Sequence, residues 1–178
     1  MYQVERFEAE IPVEDYLEGY VAAEEFLEFC RRCPRYGNSW ACPPLPFPAE
    51  TFWRKFETLS LIARKISFVP GTAPEEGRAL LKQIKEQMSQ ELYEMEQIWP
   101  GSCALSAGSC SLCRDECRRA AGKPCENPEK MRYSIEALGG NVGLTVRKLM
   151  GIQLEWMEEG KLPSYFVLVG GLLKNPRV

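Results

Sequence analysis

The chain has 178 residues, of which 45% are hydrophobic and 26% charged, and its formal net charge is −3. This length and hydrophobic content suffice for one globular domain, and the charge lacks the basic excess of a nucleic-acid-binding protein. The longest apolar run, 165–173, is much shorter than the roughly 20 residues that span a bilayer, and the N-terminus has no signal-peptide pattern. We therefore expect a cytoplasmic protein with no membrane association, in a compartment that keeps thiols reduced.

The first part of the chain alternates predicted strands and helices around a segment rich in proline. Apolar residues alternate over 2–11 and predict a strand, and a helical pattern follows over 12–27. Segment 34–48 is predicted to be a rigid irregular loop, because its prolines lack an N–H donor and restrict the residues before them. A short helix over 49–56 and a strand over 59–69 are predicted next.

The clearest helix in the sequence covers 73–99. Its apolar residues recur at steps of three and four and form one stripe, typical of a helix packed on a core. Thr72 and Glu75 have the spacing of a capping box at its start, and Pro100 with Gly101 ends it. The stripe consists of Leu81, Ile84, Met88, Leu92, Met95 and Trp99.

The remaining elements are shorter. A buried strand is predicted over 102–107, a helix over 127–138 that starts at an Asn-Pro pair, and a helix over 141–150 with asparagine as its cap. Alternation over 152–156, a turn at Glu158-Glu159-Gly160 and the apolar run 165–173 predict a C-terminal hairpin with the last strand central in the sheet.

This order of elements predicts an α+β fold. We expect a small antiparallel or mixed sheet with helices on one face, together with an irregular cysteine-rich metal-binding region. The whole chain, 1–178, is predicted to be a single domain, with cysteine-rich loops at 30–48 and 108–128.

Seven of the eight cysteines fall into two groups, and the chain contains no histidine. Each group opens with a C-x-x-C pair, which lets two thiolates converge on one centre. One such pair is also found in redox enzymes, whereas two pairs with further cysteines close behind predict metal binding. The candidate ligands are Cys30, Cys33 and Cys42 in the first group and Cys110, Cys113, Cys117 and Cys125 in the second.

The second group supplies enough thiolates for either an all-cysteine zinc site or a 4Fe–4S cluster. Its compactness and the prolines next to Cys33, Cys42 and Cys125 favour iron–sulfur, although the spacing is not that of bacterial ferredoxins. Zinc and free redox-active thiols remain alternatives. The first group has three cysteines, and Cys103 either completes it or is a small buried hydrophobic residue.

These ligand sets support three functional hypotheses. The first is a protein with one or two 4Fe–4S clusters that transfers electrons to a redox partner protein or senses redox state. The second is a small enzyme that uses an incompletely ligated metal, since three thiolates leave one iron open to another ligand. The third is a zinc-stabilised interaction module. No spacing of Asp, Glu, Lys or Tyr singles out catalytic residues, and no oligomeric state is indicated.

Three motifs resemble those of a known family. They are C-x2-C-P-x-Y-G-x2-W-x-C-P-P from Cys30, A-G-x-C-x2-C-x3-C with a downstream Pro-Cys, and M-R-Y-S-x-E-A-x-G from Met131. Together they are similar to a prokaryotic family of small predicted metal-binding proteins of unknown function. The resemblance implies that the seven grouped cysteines are the metal ligands, and it places Cys103 outside the motifs.

Several residues within the motifs have two interpretations. Tyr36, Trp40 and Tyr133 either shield a cluster from water or fill core space under the loops. Arg132 and Glu136 have the spacing of an ion pair on a helix face.

The basic residues near the cysteines also have two interpretations. They either solvate a surface loop or offset the negative charge of a thiolate-ligated centre. They are Arg31, Arg32, Arg114, Arg118 and Arg119.

Overall fold

A computed structural model describes residues 2–113, 116–156 and 162–176. In these residues a four-stranded antiparallel sheet has the order β1-β2-β4-β3. The strands are β1 (Tyr2–Pro12), β2 (Thr58–Phe68), β3 (Cys103–Leu105) and β4 (Tyr165–Lys174). The prediction that the last strand is central is confirmed, because β4 pairs with β2 on one side and with β3 on the other.

Five α-helices and two short 3₁₀ turns complete the described elements. The helices are α1 (Val13–Tyr20), α2 (Ala23–Arg31), α3 (Ala49–Trp53), α4 (Pro74–Ile98) and α5 (Val142–Met150), and the 3₁₀ turns are Arg118–Ala121 and Glu136–Leu138. The α+β class is therefore confirmed. No described helix is both long enough and apolar enough to cross a membrane.

The two faces of the sheet are both covered by helices, which corrects the prediction of helices on one face. Side chains alternate along β2, so Leu59 and Leu61 face a core shared with α1, α3 and α5, whereas Ile62 and Ile66 face α4. The apolar stripe of α4 is core, as predicted, and its Met88 is almost fully buried. Because β2 is apolar on both faces, it needs a cover on each.

The N-terminal helical region is two helices rather than one. Val21 is extended and pairs with Gly140, and the N–H of Ala22 donates to the carbonyl of Gly139 at 2.9 Å. This pairing interrupts the helix between Tyr20 and Ala23. It also docks the start of α2, the helix that carries Cys30, onto the segment after the second 3₁₀ turn.

The predicted capping box of the long helix is absent from the structure. Ala73 occupies the N-cap position of α4, and the hydroxyl of Thr72 donates to the carbonyl of Val69 at 2.7 Å instead. Pro74 at the first helical position has no N–H, so one of the donors that a cap would satisfy does not exist.

The prediction of a helix over 127–138 is also wrong, because the only helical element in this range is the 3₁₀ turn Glu136–Leu138. The side-chain amide of Asn127 donates to Cys113 Sγ at 3.8 Å, so it does not cap a helix. Further on, the carbonyl of Tyr133 accepts from the N–H of Ser106 at 2.9 Å, which holds the chain beside β3 in an extended bridge.

The C-terminal hairpin is not formed. Residues 151–156 are not a strand, and both edges of β4 are occupied by β2 and β3. The N–H of Ile152 donates to the carbonyl of Val146 at 3.1 Å, just after the end of α5. The side chain of Ile152 is buried in the core. The predicted turn at 158–160 lies outside the described residues. The helix predicted over 141–150 is confirmed, with the Asn141 side chain accepting from the N–H of Leu144.

Candidate metal centre

The four cysteines of the second group line one cavity of about 250 Å³, the four-cysteine cavity. They come from an irregular segment that follows β3, and each is partly buried. The opposite wall belongs to the proline-rich loop, through Arg35 and the segment 39–41. The lining cysteines are Cys110, Cys113, Cys117 and Cys125.

Backbone and amide N–H groups point at these thiols. The N–H of Trp40 donates to Cys117 Sγ at 3.4 Å, and the N–H of Asn127 donates to Cys125 Sγ at the same distance. Such donors stabilise a thiolate over a thiol, because they interact more strongly with negative charge. The Trp40 contact also joins the two loops directly.

Arg119 fastens the proline-rich loop to the second cysteine segment. Its guanidinium donates to the carbonyls of Ser39, Cys42 and Pro44 at 2.9, 2.7 and 2.7 Å, and it lies 5.0 Å from the ring of Trp40. One side chain thus satisfies three carbonyls of a loop that has no ladder partners of its own.

The three cysteines of the first group line a second cavity of about 160 Å³, the three-cysteine cavity. Cys30 is at the end of α2, and Cys33 and Cys42 lie in the loop that follows. The remaining wall includes Glu136 and a short segment, 108–109, that leads into the second cysteine group. Arg35 lines both cavities, so the two cavities adjoin the same part of the proline-rich loop.

The 3₁₀ turn that carries Glu136 is held from both ends. The indole N–H of Trp53 donates to the carbonyl of Leu138 at 2.9 Å, and the N–H of Ala137 donates to Ser134 Oγ at 3.1 Å. Gly139 has φ +80°, and a Cβ there would lie 2.6 Å from the Cα of Ala23. Glycine therefore permits α2 to approach the turn, which brings Glu136 to the thiol of Cys30.

Two cations lie close to the cysteine thiols of these cavities. Burial raises the pKa of Cys42, against the effects of a hydrogen bond with Ser39 and the nearby charge of Arg35. Burial lowers the pKa of Lys85, whereas the charge of Cys110 raises it, and the ammonium donates to the carbonyl of Ser109. Both cations lie where they offset thiolate charge.

The Glu136 carboxyl is the buried acid of the three-cysteine cavity. Burial raises its pKa, against hydrogen bonds from Ser134 and from its own backbone N–H. Its Oε2 atom is buried and has no hydrogen-bond partner in the described part of the chain. The predicted ion pair with Arg132 is wrong: the Arg132 guanidinium pairs with Glu96 through two contacts of 2.7 and 2.6 Å.

Cys103 is separate from both cavities. It lies on β3, packs against the core on the face of the sheet opposite α4, and lines neither cysteine cavity. Burial raises the pKa of the Cys103 thiol to about 11. These features are those of a small buried hydrophobic residue.

Cys103 is therefore expected to be the thiol slowest to react with iodoacetamide in the reduced, metal-free protein, because only the thiolate attacks. Its alkylation should remain slow near neutral pH and rise as the pH approaches 11, since the protonated form persists below the raised pKa. Mass spectrometry of peptides after timed labelling measures this. Labelling of Cys103 as fast as that of exposed Cys33 would contradict the placement.

All eight cysteines lie in described residues and are free thiols. Across the described ranges, no three cysteine, aspartate or glutamate side chains are grouped to hold a metal ion. The thiols of each set instead line the wall of a cavity.

The three aromatic residues of the cysteine motifs divide between the two interpretations given for them. Trp40 lines the four-cysteine cavity and Tyr36 the three-cysteine cavity, whereas Tyr133 packs edge-on against the rings of Phe47 and Phe52 in the core.

The basic residues also divide between different roles. Arg31 and Arg118 pair with the carboxylates of nearby glutamates, Arg119 braces the loop, and Arg114 lies outside the described residues. Sequence reasoning missed Arg35, Lys82 and Glu136 as cavity residues. It also missed Lys85, whose ammonium donates to the carbonyl of Ser109 in the wall of the three-cysteine cavity. Arg35 lies in the proline-rich loop predicted over 34–48, but it is the unspecified residue of the C-P-x-Y-G part of the motif, and no local signal pointed to Lys85.

Comparison with known proteins gives one match. No curated protein and no solved structure matches the chain. Residues 17–173 match the family described as "Predicted metal-binding protein (DUF2284)", a region that includes all eight cysteines and both cavities. The chain therefore belongs to this family of predicted metal-binding proteins.

Proposed function

We propose that the protein is an iron–sulfur protein that transfers electrons or senses redox state, with a 4Fe–4S cluster in the four-cysteine cavity. The observation that carries this proposal is the presence of four thiols in the wall of one cavity of about 250 Å³. The proposed ligands are Cys110, Cys113, Cys117 and Cys125.

The size of the cavity favours a cluster over a single ion. Zinc binds four thiolates at about 2.3 Å each, so the sulfurs must converge almost to contact. A 4Fe–4S cluster instead holds its four thiolates apart at the corners of a cube and occupies the space between them. Four thiols spread around a cavity of about 250 Å³ support the second arrangement.

When bound, such a cluster accepts and donates one electron at a time at a potential set by its surroundings. The chain supplies those surroundings: the N–H groups of Trp40 and Asn127 donate to the ligand sulfurs, and Arg35 and Lys85 place positive charge beside them. The sulfurs are only partly buried, which suits electron exchange with a redox partner protein. A cytoplasmic location, which keeps the thiols reduced, is part of this proposal.

Replacing Lys85 with methionine is expected to lower the reduction potential of the cluster. A nearby cation stabilises the added electron by about 1–2 kcal/mol at protein dielectric values, so its removal should shift the potential by on the order of 50 mV. Lys148 on α5 is exposed and lines neither cysteine cavity, whereas Lys85 donates to the carbonyl of Ser109 in a cavity wall, so Lys148→Met is the matched control. Spectroscopic redox titration measures both, and equal potentials in the two variants would contradict the role of Lys85.

The three-cysteine cavity favours a second candidate function, a small enzyme at an incompletely ligated metal. A mostly apolar cavity of about 270 Å³, the apolar cavity, adjoins it and shares Cys30, Tyr36 and Glu136 in its wall. A small molecule in the apolar cavity would lie next to the metal. This candidate predicts a change in the cluster spectrum when a small neutral iron ligand, such as an alkyl isocyanide, is added.

Electron paramagnetic resonance tests the main proposal. The protein is purified without oxygen, reduced with dithionite and measured at low temperature. The expected result is the signal of a reduced 4Fe–4S cluster, which disappears on reoxidation. Protein that binds zinc and shows no such signal, even after incubation with iron and sulfide, would contradict it.

A further inference from the structure

The strongest unexplained feature of the molecule is the carboxyl group of Glu136. It lies in the wall of the three-cysteine cavity, beside Cys30, and its Oε2 atom is buried without a partner among the described residues. The 3₁₀ turn beneath it is fixed by Trp53 and Ser134, so the side chain is held there by the fold.

An unsatisfied buried carboxyl oxygen is costly. A buried polar atom without a partner destabilises the folded state, and an unpaired buried charge destabilises it more. No ion pair of Glu136 is formed in the described ranges, because the ammonium of Lys85 is bound to Ser109 and Arg132 is bound to Glu96. A cation inside the cavity would remove this cost.

The ligand set of the cavity lacks one member. Its three thiols are contributed by Cys30, Cys33 and Cys42, and Cys103, the remaining cysteine, lies elsewhere. A 4Fe–4S cluster has four irons and requires four protein or solvent ligands. The carboxylate of Glu136 is the other group in this wall with the charge and oxygen atoms of a metal ligand.

We infer that Glu136 is the fourth ligand of a second 4Fe–4S cluster, held with Cys30, Cys33 and Cys42 in the three-cysteine cavity. This inference rests on the proposed function, because it extends iron–sulfur chemistry from the four-cysteine cavity to its neighbour. The iron bound by Glu136 is the exchangeable one, since a carboxylate holds iron less tightly than a thiolate does.

The position of Glu136 gives this iron a distinct environment. Glu136 and Cys30 also line the apolar cavity, so the carboxylate stands between that cavity and the cluster. A small molecule entering there would meet the iron with the replaceable ligand. The other three irons keep their thiolates.

The test isolates the second cluster. A C113A/C117A parent removes two ligands of the four-cysteine cavity, and Glu136→Gln is then compared with Glu24→Gln in that parent. Glu24 is an exposed residue at the wall of the apolar cavity and lines neither cysteine cavity. Glutamine matches glutamate in shape, and Glu136→Cys restores a ligand as a rescue. Each protein is reconstituted without oxygen, treated briefly with ferricyanide and assayed for iron and by electron paramagnetic resonance.

The parent and Glu24→Gln are expected to bind about four iron per chain and to convert to the 3Fe–4S form only in part. Glu136→Gln is expected to lose one iron and to show the 3Fe–4S signal at several times the parent level, whereas Glu136→Cys retains the complete cluster. Equal iron content and equal signals in Glu136→Gln and the parent would overturn the inference.

The outcomes also separate the two proposals. If the wild-type chain binds about four iron and the C113A/C117A parent binds none, the inferred second cluster is wrong and the cluster of the four-cysteine cavity stands. If the wild-type chain binds no iron and sulfide at all, the proposed function itself is wrong. Thermal unfolding of the metal-free proteins checks folding, and Glu136→Gln is expected to unfold close to the parent, because glutamine keeps the shape of the side chain and removes only its charge.

Discussion

Replacing Cys117 with alanine is expected to remove the cluster of the four-cysteine cavity. Cys117 lines that cavity and accepts the N–H of Trp40 from the facing loop, so its loss removes one ligand and one link between the loops. Iron and sulfide per chain should fall by about half if the three-cysteine cavity holds a second cluster, and almost completely if it does not. Metal and sulfide analysis of protein purified without oxygen measures the loss.

Cys103→Ala is the matched control for Cys117→Ala. Both changes remove one partly buried thiol, but Cys103 packs against the core and lines neither cavity. The control should retain the iron of the wild-type protein and lose only some stability through a smaller core side chain. Full iron in Cys117→Ala, or an equal loss in Cys103→Ala, would contradict the assignment of ligands.

The second large effect is expected at Arg119. Arg119→Ala removes donors to the carbonyls of Ser39, Cys42 and Pro44 and a contact with the ring of Trp40. Hydrogen bonds from a charged group contribute about 1.5–3 kcal/mol each, and they are not additive on a partly exposed side chain. We expect the free energy of unfolding to fall by about 2–4 kcal/mol, as measured by denaturant titration.

Arg118→Ala provides a neighbouring control for this change. Its guanidinium pairs with the exposed carboxylate of Glu126, and such surface pairs contribute about 0–1 kcal/mol. The Arg119 variant should also lose iron faster to a chelator, because Trp40 and Cys42 border the two cavities. Equal stability and equal iron loss in the two variants would show that Arg119 does not brace the loop.

Much of the fold follows from local pattern. The alternation of β1, the stripe of α4 and the asparagine cap of α5 predicted these elements within a few residues of their ends. The prediction of a helix over 127–138 was wrong because this segment binds residues distant in sequence. The Asn127 amide donates to the sulfur of Cys113, and the carbonyl of Tyr133 accepts from the N–H of Ser106. Neither partner is visible in a local window.

The hairpin failed for a related reason. The alternation over 152–156 resembles that of a strand, but β4 already has partners on both edges, one of them from β2 far earlier in the chain. The packing of helices against both faces of the sheet was also not predicted. Strand β2 is apolar on both faces, but the sequence did not show which helix packs against which face.

The candidate site was predicted in part. Cysteine spacing identified both thiol groups, because C-x-x-C pairs are local signals. Glu136 and Lys85 lie about 100 and 50 residues from Cys30 in sequence, and only the packing of the 3₁₀ turn and α4 brings them to the cavities. Glu136 was instead expected to pair with Arg132, since helical spacing was assumed where the chain is not a helix.

The most direct test of the account is the iron and acid-labile sulfide content of the wild-type protein purified without oxygen. Iron and sulfide in equal amounts, near eight per chain, are expected if both cavities hold clusters, and near four if only the four-cysteine cavity does. Zinc without sulfide, in protein that also fails to take up iron and sulfide on reconstitution, would contradict the central claim.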